Sequence, residues 1–350
     1  MDRRALIKGA ISLAAAQCTF SLEALASEVD DADLLANVNE ELHGAAAAAL
    51  QEMRSTPRLS LKTLAEVRRL YATYESAPAA DIPSEMKVVA GLAGQPAVTL
   101  YVINAAGRSG RPAILHTHGG GFILGTARSA VPSLQELARE LDCVVVTVEY
   151  RLAPETTYKG SIADNYAGLR WLHRNAASLG VDSTRIGVMG ESAGGGHAAL
   201  LAILARNRAE VPIAFQCLTY PMLDDRTGSS RAVPPSMGRL VWTAANNQLG
   251  WASFLGMTPG TTKTPTAAVP ARVTDLRGLP PAFIAVGSID LFANEDIDFA
   301  QRLNNAGVST ELLVIPGAFH GFDLFPGANR IAKNFNAARL IALRRGLGIA

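Results

Sequence analysis

Three residue types in this 350-residue chain have the surroundings for nucleophilic chemistry: a serine, a histidine and an aspartate. Ser192 lies in Gly190-Glu191-Ser192-Ala193-Gly194. It follows the apolar run Arg185-Ile186-Gly187-Val188-Met189 and precedes a stretch over 197–205 that reads as helix. Glycine on both flanks of a serine, between a strand and a helix, is the nucleophile-elbow pattern. A turn that tight strains the serine backbone, and flanking side chains larger than hydrogen would collide with the strand and helix it joins. The helix start behind the serine offers N–H groups and a positive dipole end where an oxyanion would form. Alone, the pentapeptide also fits a chance glycine-rich turn, so the rest of the chain must decide.

His118-Gly119-Gly120-Gly121-Phe122 follows an apolar strand pattern over 113–115. Consecutive glycines cost conformational entropy, and close approach of bare backbone N–H groups to a ligand oxygen is a reason to keep them. The bland alternative is a flexible linker. With the amide of Ala193 these donors would make an oxyanion hole, each contributing about 2.7–4 kcal/mol in the transition state. A serine hydroxyl needs a base, and the base an orienting carboxylate. His320, in Pro316-Gly317-Ala318-Phe319-His320-Gly321-Phe322, falls just after the last apolar run. Asp290 closes Ala285-Val286-Gly287-Ser288-Ile289-Asp290 at a strand's carboxyl end. Glu295, with Asp296 behind it, competes for the carboxylate role, but both read as part of the following helix. His118 is expected to orient its own loop, His116 to sit in a strand, His173 and His197 in helices, and His43 in the N-terminal region. A neutral His320 is needed as base, so activity should fall on the acid side.

The elements that must position these residues form a repeating pattern. Apolar runs at 113–115, 144–148, 186–189, 215–220, 283–286 and 312–315 are separated by helical patterns at 134–141, 162–175, 198–206 and 295–306. Strand–helix alternation with continuously apolar strands predicts an α/β fold, a mostly parallel sheet with helices on both faces. Sites in such sheets lie at the carboxyl ends of strands, where the residues above fall. Residues 87–90 and 98–104, around Gly94-Gln95-Pro96, read as a hairpin. Residues 30–76 read as two amphipathic helices broken near Pro57, with Leu34, Leu35, Val38, Leu42, Leu61, Leu64, Val67, Leu70 and Tyr71 as packing faces. From 224 to about 280 the alternation stops amid Pro234, Pro235, Pro259, Pro265, Pro270 and Pro280, with a helix expected over 240–254. Such an insertion often becomes a lid. Its Trp242, Leu249, Trp251 and Phe254 would line an acyl pocket, with Phe122 beside the glycines, or would make the insertion's own small core.

The hydrophobic share is 49%, the charged share 18% and the net charge +1, so nothing points to nucleic acid or a strongly anionic partner. Three cysteines are too few for a disulfide scaffold. Cys143 and Cys217 read as small buried hydrophobes. The N-terminus, Asp2-Arg3-Arg4-Ala5-Leu6-Ile7-Lys8, resembles a twin-arginine export signal, followed by a short apolar stretch and a small-x-small site at Ala24-Leu25-Ala26. This predicts a cleaved signal over 1–26 and a periplasmic enzyme with no stable membrane span. A retained basic helix is the alternative, and Gln17 before Cys18 argues against a lipoprotein.

Together these motifs resemble the bacterial hormone-sensitive lipase family, the family IV esterases or α/β-hydrolase-3 group. The resemblance runs from about Lys87 to the C-terminus. It rests on His118-Gly119-Gly120-Gly121, Tyr150-Arg151-Leu152-Ala153-Pro154-Glu155, Asp164 to Trp171, Gly190-Glu191-Ser192-Ala193-Gly194-Gly195, Tyr220-Pro221, Asp290 and His320-Gly321-Phe322. It implies an eight-stranded α/β-hydrolase fold over 81–350, with a helical cap from about 27–80 and 224–280. It also implies hydrolysis of short- to medium-chain esters of small molecules, with no metal or organic cofactor. By the family's pattern, Ser192, Asp290 and His320 form the triad, and Gly120, Gly121 and Ala193 the oxyanion hole. His118, Gly119 and Glu191 support them. A homodimer through the sheet edge is a further implication. Lactonase, amidase or acyltransferase chemistry on the same triad, or a non-catalytic binding role, are the rivals. Two departures stand out. Asp290-Leu291-Phe292-Ala293-Asn294-Glu295 lacks the family's proline and second aspartate, and Lys159 replaces a usual proline.

Overall fold

The continuously apolar runs become strands, and all but the edge strand at 310–315 are buried on both faces along those runs. A computed structural model of the chain describes residues 31–73, 77–105, 108–326 and 330–350. The export signal and Cys18 lie outside the described residues. The strands are β1 Ser84–Val89, β2 Val98–Ile103, β3 Arg111–Thr117, β4 Val144–Glu149, β5 Val181–Glu191, β6 Phe215–Thr219, β7 Ala282–Gly287 and β8 Thr310–Ile315. They form one eight-stranded sheet in the order β1-β2-β4-β3-β5-β6-β7-β8. The β1–β2 and β2–β4 pairings are antiparallel and all others parallel. The expected sheet and its leading hairpin are therefore present. All residues of β3, β6 and β7 are buried, as helices on both sides require.

Helices α1 Asp31–Leu35, α2 His43–Ser55, α3 Leu64–Ala72, α4 Ala127–Leu141, α5 Tyr158–Arg174, α6 Ala193–Arg208, α7 Ala244–Leu255, α8 Ala293–Asn305 and α9 Arg330–Gly346 complete the described chain. One sheet face packs against α5, α6 and α8 through Leu169, Leu172, Leu201, Phe299 and Leu303. The other packs against α2, α4 and α9 through Ala46, Leu50, Leu134, Leu141, Phe335 and Leu343. Each such side chain contributes about 1.5–3 kcal/mol by leaving water. Cys143 and Cys217 belong to this second face as free, buried thiols. Burial pushes both thiols up to about 12.

A third cluster lies over the carboxyl ends of the strands. It joins Leu64 and Val67 of α3, Trp251, Phe254 and Leu255 of α7, and Phe122, Met222 and Phe292 from loops that follow strands. The N-terminal helices thus divide: α3 joins the cluster over the strand ends, and α2 joins the cluster of the second face. The insertion is stapled at its root. Asp225 accepts from Arg272 at 2.6 Å, Gly260 N at 2.6 Å and Thr264 Oγ1 at 3.0 Å. Neighbouring Asp224 pairs with Arg226 at 2.8 Å and Arg231 at 3.1 Å.

Several element starts differ from the sequence expectation: α4 begins at Ala127 and not near 134, α5 at Tyr158 and not near 162, and two more have a clear physical cause. Helix α6 begins at Ala193, not near 198, because Gly194, Gly195 and Gly196 form its first turn. Glycine is a poor helix former, but space requires it here. An added Cβ would lie 1.9 Å from Thr117 O at Gly194, 2.7 Å from Pro221 Cβ at Gly195 and 2.3 Å from Met222 O at Gly196. Helix α7 starts at Ala244, capped by Thr243, whose Oγ1 accepts from Asn246 N. Just before it, Trp242 N donates to Leu240 O at 2.8 Å across Val241, which has φ +64°. This is a positive-φ γ-turn, strained for any side chain and most for a β-branched one. Lys159 is exposed at the second residue of α5. The first helical turn tolerates proline because its N–H groups lack intrahelical partners, so exchange with lysine there leaves the helix intact.

Candidate active site

Strand β5 ends at Glu191, and α6 begins two residues on, so Ser192 occupies the whole connection. It has φ +57° and ψ −121°, far from ordinary serine geometry. The strain is held from both sides. Ser192 N donates to Thr219 O at 2.9 Å, and its carbonyl accepts from Gly196 N at 3.1 Å and Met222 N at 2.9 Å. The flanking glycines are required sterically: a Cβ on Gly190 would meet Gly194 O at 2.4 Å.

The loop after β8 brings His320 to this serine. Its Nε2 is 2.9 Å from Ser192 Oγ, and its Nδ1 is 2.8 Å from Asp290 Oδ2. With Asp290 ionised, Nδ1–H donates to it and Nε2 is left to accept the serine proton. Asp290 follows β7, is fully buried, and receives Phe292 N–H on Oδ1 at 2.9 Å. Ser192 and His320 are 7% and 5% exposed, so the relay is shielded yet reachable. The imidazole is held edge-on by Tyr220 at 4.8 Å and Phe292 at 5.1 Å.

The rival carboxylates have other places. Both lie on α8, facing inward. Glu295 Oε1 accepts Leu223 N–H at 2.7 Å and Asp224 N–H at 3.1 Å, pinning the loop after β6. Both Asp296 oxygens are buried without a hydrogen-bond partner among the described residues. Burial first, then the charges of Glu295 and Asp290, push its carboxyl well above the usual range. Burial of this kind favours the protonated form. Its stabilisation is full below the unfolded value, about pH 4, and is lost as pH rises through the folded one. Asp296→Asn is therefore expected to flatten the decline of urea-unfolding free energy that sets in as pH rises above about 4, a slope of up to about 1.4 kcal/mol per pH unit for one proton. An unchanged slope would show that Asp296 is ionised in the native state. Of the family departures, Leu291 is buried in the roof against Gly238, and Asn294 is exposed on α8.

The glycine loop runs alongside the serine. An added Cβ on Gly119 would lie 3.0 Å from Glu191 O and 3.5 Å from Ser192 Cβ. Gly120 has φ +116° and Gly121 φ +59°, conformations suited to glycine. Ala193 is the first residue of α6, so its N–H is one of the helix's unpaired donors. His118 stacks on Tyr150 at 4.1 Å; Tyr150 O–H donates to His118 O, and His118 Nδ1 donates to Gly119 O, both at 2.8 Å. Burial lowers the imidazole to about 4, so it is neutral and serves as a brace for its own loop. His197, packed against Phe122, Tyr150 and Phe254, is lowered by burial to about 3.

The pocket expectation is corrected for three of its residues. Phe122, Trp251 and Phe254 are at most 1% exposed, with Phe122 stacked on Phe254 at 3.9 Å and Trp251 edge-on to Phe122 at 5.0 Å. They form the solid core beneath the glycine loop. Trp242 differs: a Cβ on Gly121 would lie 2.1 Å from its Cη2, so the indole edge covers that glycine. Its Nε1 donates to Asn247 Oδ1 at 3.3 Å, and Val241 N donates to Met53 Sδ of α2 at 3.2 Å.

Glu191 is tied to groups that spacing could not reveal. Its Oε2 is 2.9 Å from His116 Nε2, and its Oε1 is 3.6 Å from Arg339 on α9. Burial alone would raise its carboxyl, but His116 and Arg339 hold it below the usual range. Tyr220, which backs His320, donates to Asp323 Oδ1 at 3.0 Å. Among the described residues there is no cluster of three or more histidine, cysteine or acidic side chains suited to a metal ion, and no helix is long and apolar enough to cross a membrane.

This geometry has close counterparts. The chain is 37% identical over 249 residues to the carboxylesterase NlhH of Mycobacterium tuberculosis, covering 69% of this chain and 75% of that protein. It is 34% identical over 235 residues to the esterase LipI of the same organism, covering 67% and 72%. Among solved structures it resembles a bacterial heroin esterase, with a TM-score of 0.80 and 37% identity, covering 89% of this chain and 99% of that one. Residues 114–324, from within β3 to just past His320, match the family described as having the α/β hydrolase fold. The chain belongs to the α/β-hydrolase-3 family, the group of the bacterial hormone-sensitive-lipase-like esterases.

Proposed function

We propose that this protein is a serine carboxylesterase that hydrolyses short- to medium-chain esters of small molecules through an acyl-enzyme. The observation that carries the reading is the Ser192–His320–Asp290 relay, at 2.9 and 2.8 Å, beside a glycine loop. The activity is that of its esterase relatives. His320 takes the proton as Ser192 Oγ attacks the ester carbonyl. The amides of Gly120, Gly121 and Ala193 receive the oxyanion, and Asp290 stabilises the imidazolium. His320 then protonates the leaving alcohol, and water repeats the sequence on the acyl-enzyme. The N-terminal arginine pair and the small-x-small site at Ala24-Leu25-Ala26 support export to the periplasm; a mature N-terminus near Ser27 in that fraction is the expected finding.

Trp242 supports the limit on chain length, because its indole edge occupies the space over Gly121. A series of p-nitrophenyl esters of rising acyl length tests this. The wild type should peak at short chains, and Trp242→Ala should raise kcat/KM for longer chains relative to butyrate by about 10-fold or more. The same chain-length profile in both proteins would remove Trp242 from the acyl site. Faster turnover of a lactone or amide panel than of esters would reassign the reaction.

A further inference from the structure

We propose that Arg339, on the C-terminal helix, is a positioning residue that sets the Ser192–His320 geometry from behind, an inference that rests on the serine-esterase reading. Its guanidinium contacts one string of residues and faces the charge of a second. The first leads to the nucleophile. Arg339 Nη1 is 3.6 Å from Glu191 Oε1, and Glu191 directly precedes Ser192. The other Glu191 oxygen is held by His116 Nε2 at 2.9 Å, and His116 Nδ1 is 2.8 Å from Thr147 Oγ1. The second string leads to the base. Asp323 lies three residues past His320 and accepts Tyr220 O–H at 3.0 Å. The Tyr220 ring meets the His320 imidazole edge-on at 4.8 Å. Tyr220 is itself held at φ +35°, its N–H donating to Ala285 O at 2.6 Å.

Arg339 answers the charge of both strings. Glu191 and Asp323 strengthen its hold on its proton, against the opposing effect of burial, with Cys217 and Tyr220 as the other titratable neighbours. The guanidinium is fixed in place by Asn336 Oδ1, which accepts from Nη2 at 2.9 Å, and by the Phe335 ring at 5.7 Å. Phe335 also stacks on Tyr220 at 6.4 Å and packs on Phe322 at 5.2 Å. One cation therefore pairs with the residue before the serine and supplies counter-charge to the segment after the histidine. Without it, two shielded carboxylates lose their shared counter-charge, and the backbone on either side of the Ser–His hydrogen bond is free to drift.

The test uses the full chain, with p-nitrophenyl butyrate kinetics and the rate of fluorophosphonate labelling mapped to Ser192. Arg339→Met is expected to lower kcat and the labelling rate together by between about 10- and 100-fold, as a misplacement near 1 Å does, with KM little changed. Arg339→Lys keeps the charge and should recover most of kcat. Glu191→Gln in the Arg339→Met background removes one stranded carboxylate and should restore part of the labelling rate. The proposal is overturned if Arg339→Met labels and turns over like the wild type, if the loss falls on KM, or if Arg339→Lys is no better than Arg339→Met. Absence of label at Ser192 in the wild type would instead overturn the triad reading, and this proposal with it.

Discussion

Ser192→Ala should lower kcat for p-nitrophenyl butyrate by about 10⁶-fold, as loss of the nucleophile does in enzymes of this kind. A residual rate of about 10³–10⁴ over water should persist, because the oxyanion donors and the binding site remain. The fold should be unharmed. Ser192 is held by its backbone, through Thr219 O, Gly196 N and Met222 N, and among the described residues its hydroxyl bonds to the His320 imidazole. Matched far-UV spectra and melting curves, with the acyl-enzyme mass adduct lost, would complete the result. A variant retaining wild-type turnover would end the serine-esterase reading.

Asp290→Asn should cost about 10⁴-fold in kcat while leaving the fold in place. The asparagine amide would present an N–H to His320 Nδ1, which favours the tautomer with its proton on Nε2. That tautomer cannot take the serine proton. Glu295→Gln makes the contrast, because Glu295 accepts the N–H groups of Leu223 and Asp224 and serves the loop after β6. It should retain kcat within several-fold, because the glutamine amide oxygen can still accept both N–H groups. Equal losses in kcat from both variants would assign the orienting role to more than one carboxylate. Steady-state kinetics on the two purified variants settles the question.

The parts of this site legible in the sequence are those whose cause is local. The glycines flanking Ser192, the three after His118, and the placement of Asp290 and His320 at strand ends all follow from steric need and continuous apolar runs. The start of α6 was misplaced because Gly194 to Gly196 lower helix propensity, and the loops that demand them come from Thr117, Pro221 and Met222. The aromatic residues of the insertion could not be sorted in advance. Trp251 and Phe254 pack beneath the glycine loop and Trp242 covers it, a difference created by the turn at Val241. Arg339 and Asp323 carry no spacing signal. Their meaning depends on which elements meet behind β5 and β6, and that follows only from the assembled sheet.

The first turn of α6 also bears on how such an enzyme can diversify. Its three glycines are blocked by the end of β3 and by the loop after β6, so the nucleophile and its surroundings must be inherited nearly whole. Most of the insertion is fixed too, with Gly250 against Gly121 and Trp251 and Phe254 against Phe122, but the indole of Trp242 is held over the glycine loop by one strained residue, Val241, tethered to Met53. Exchanging residues 240–243 could retune substrate choice without disturbing the chemistry. For an engineer, this places the adjustable part of the enzyme in four consecutive residues.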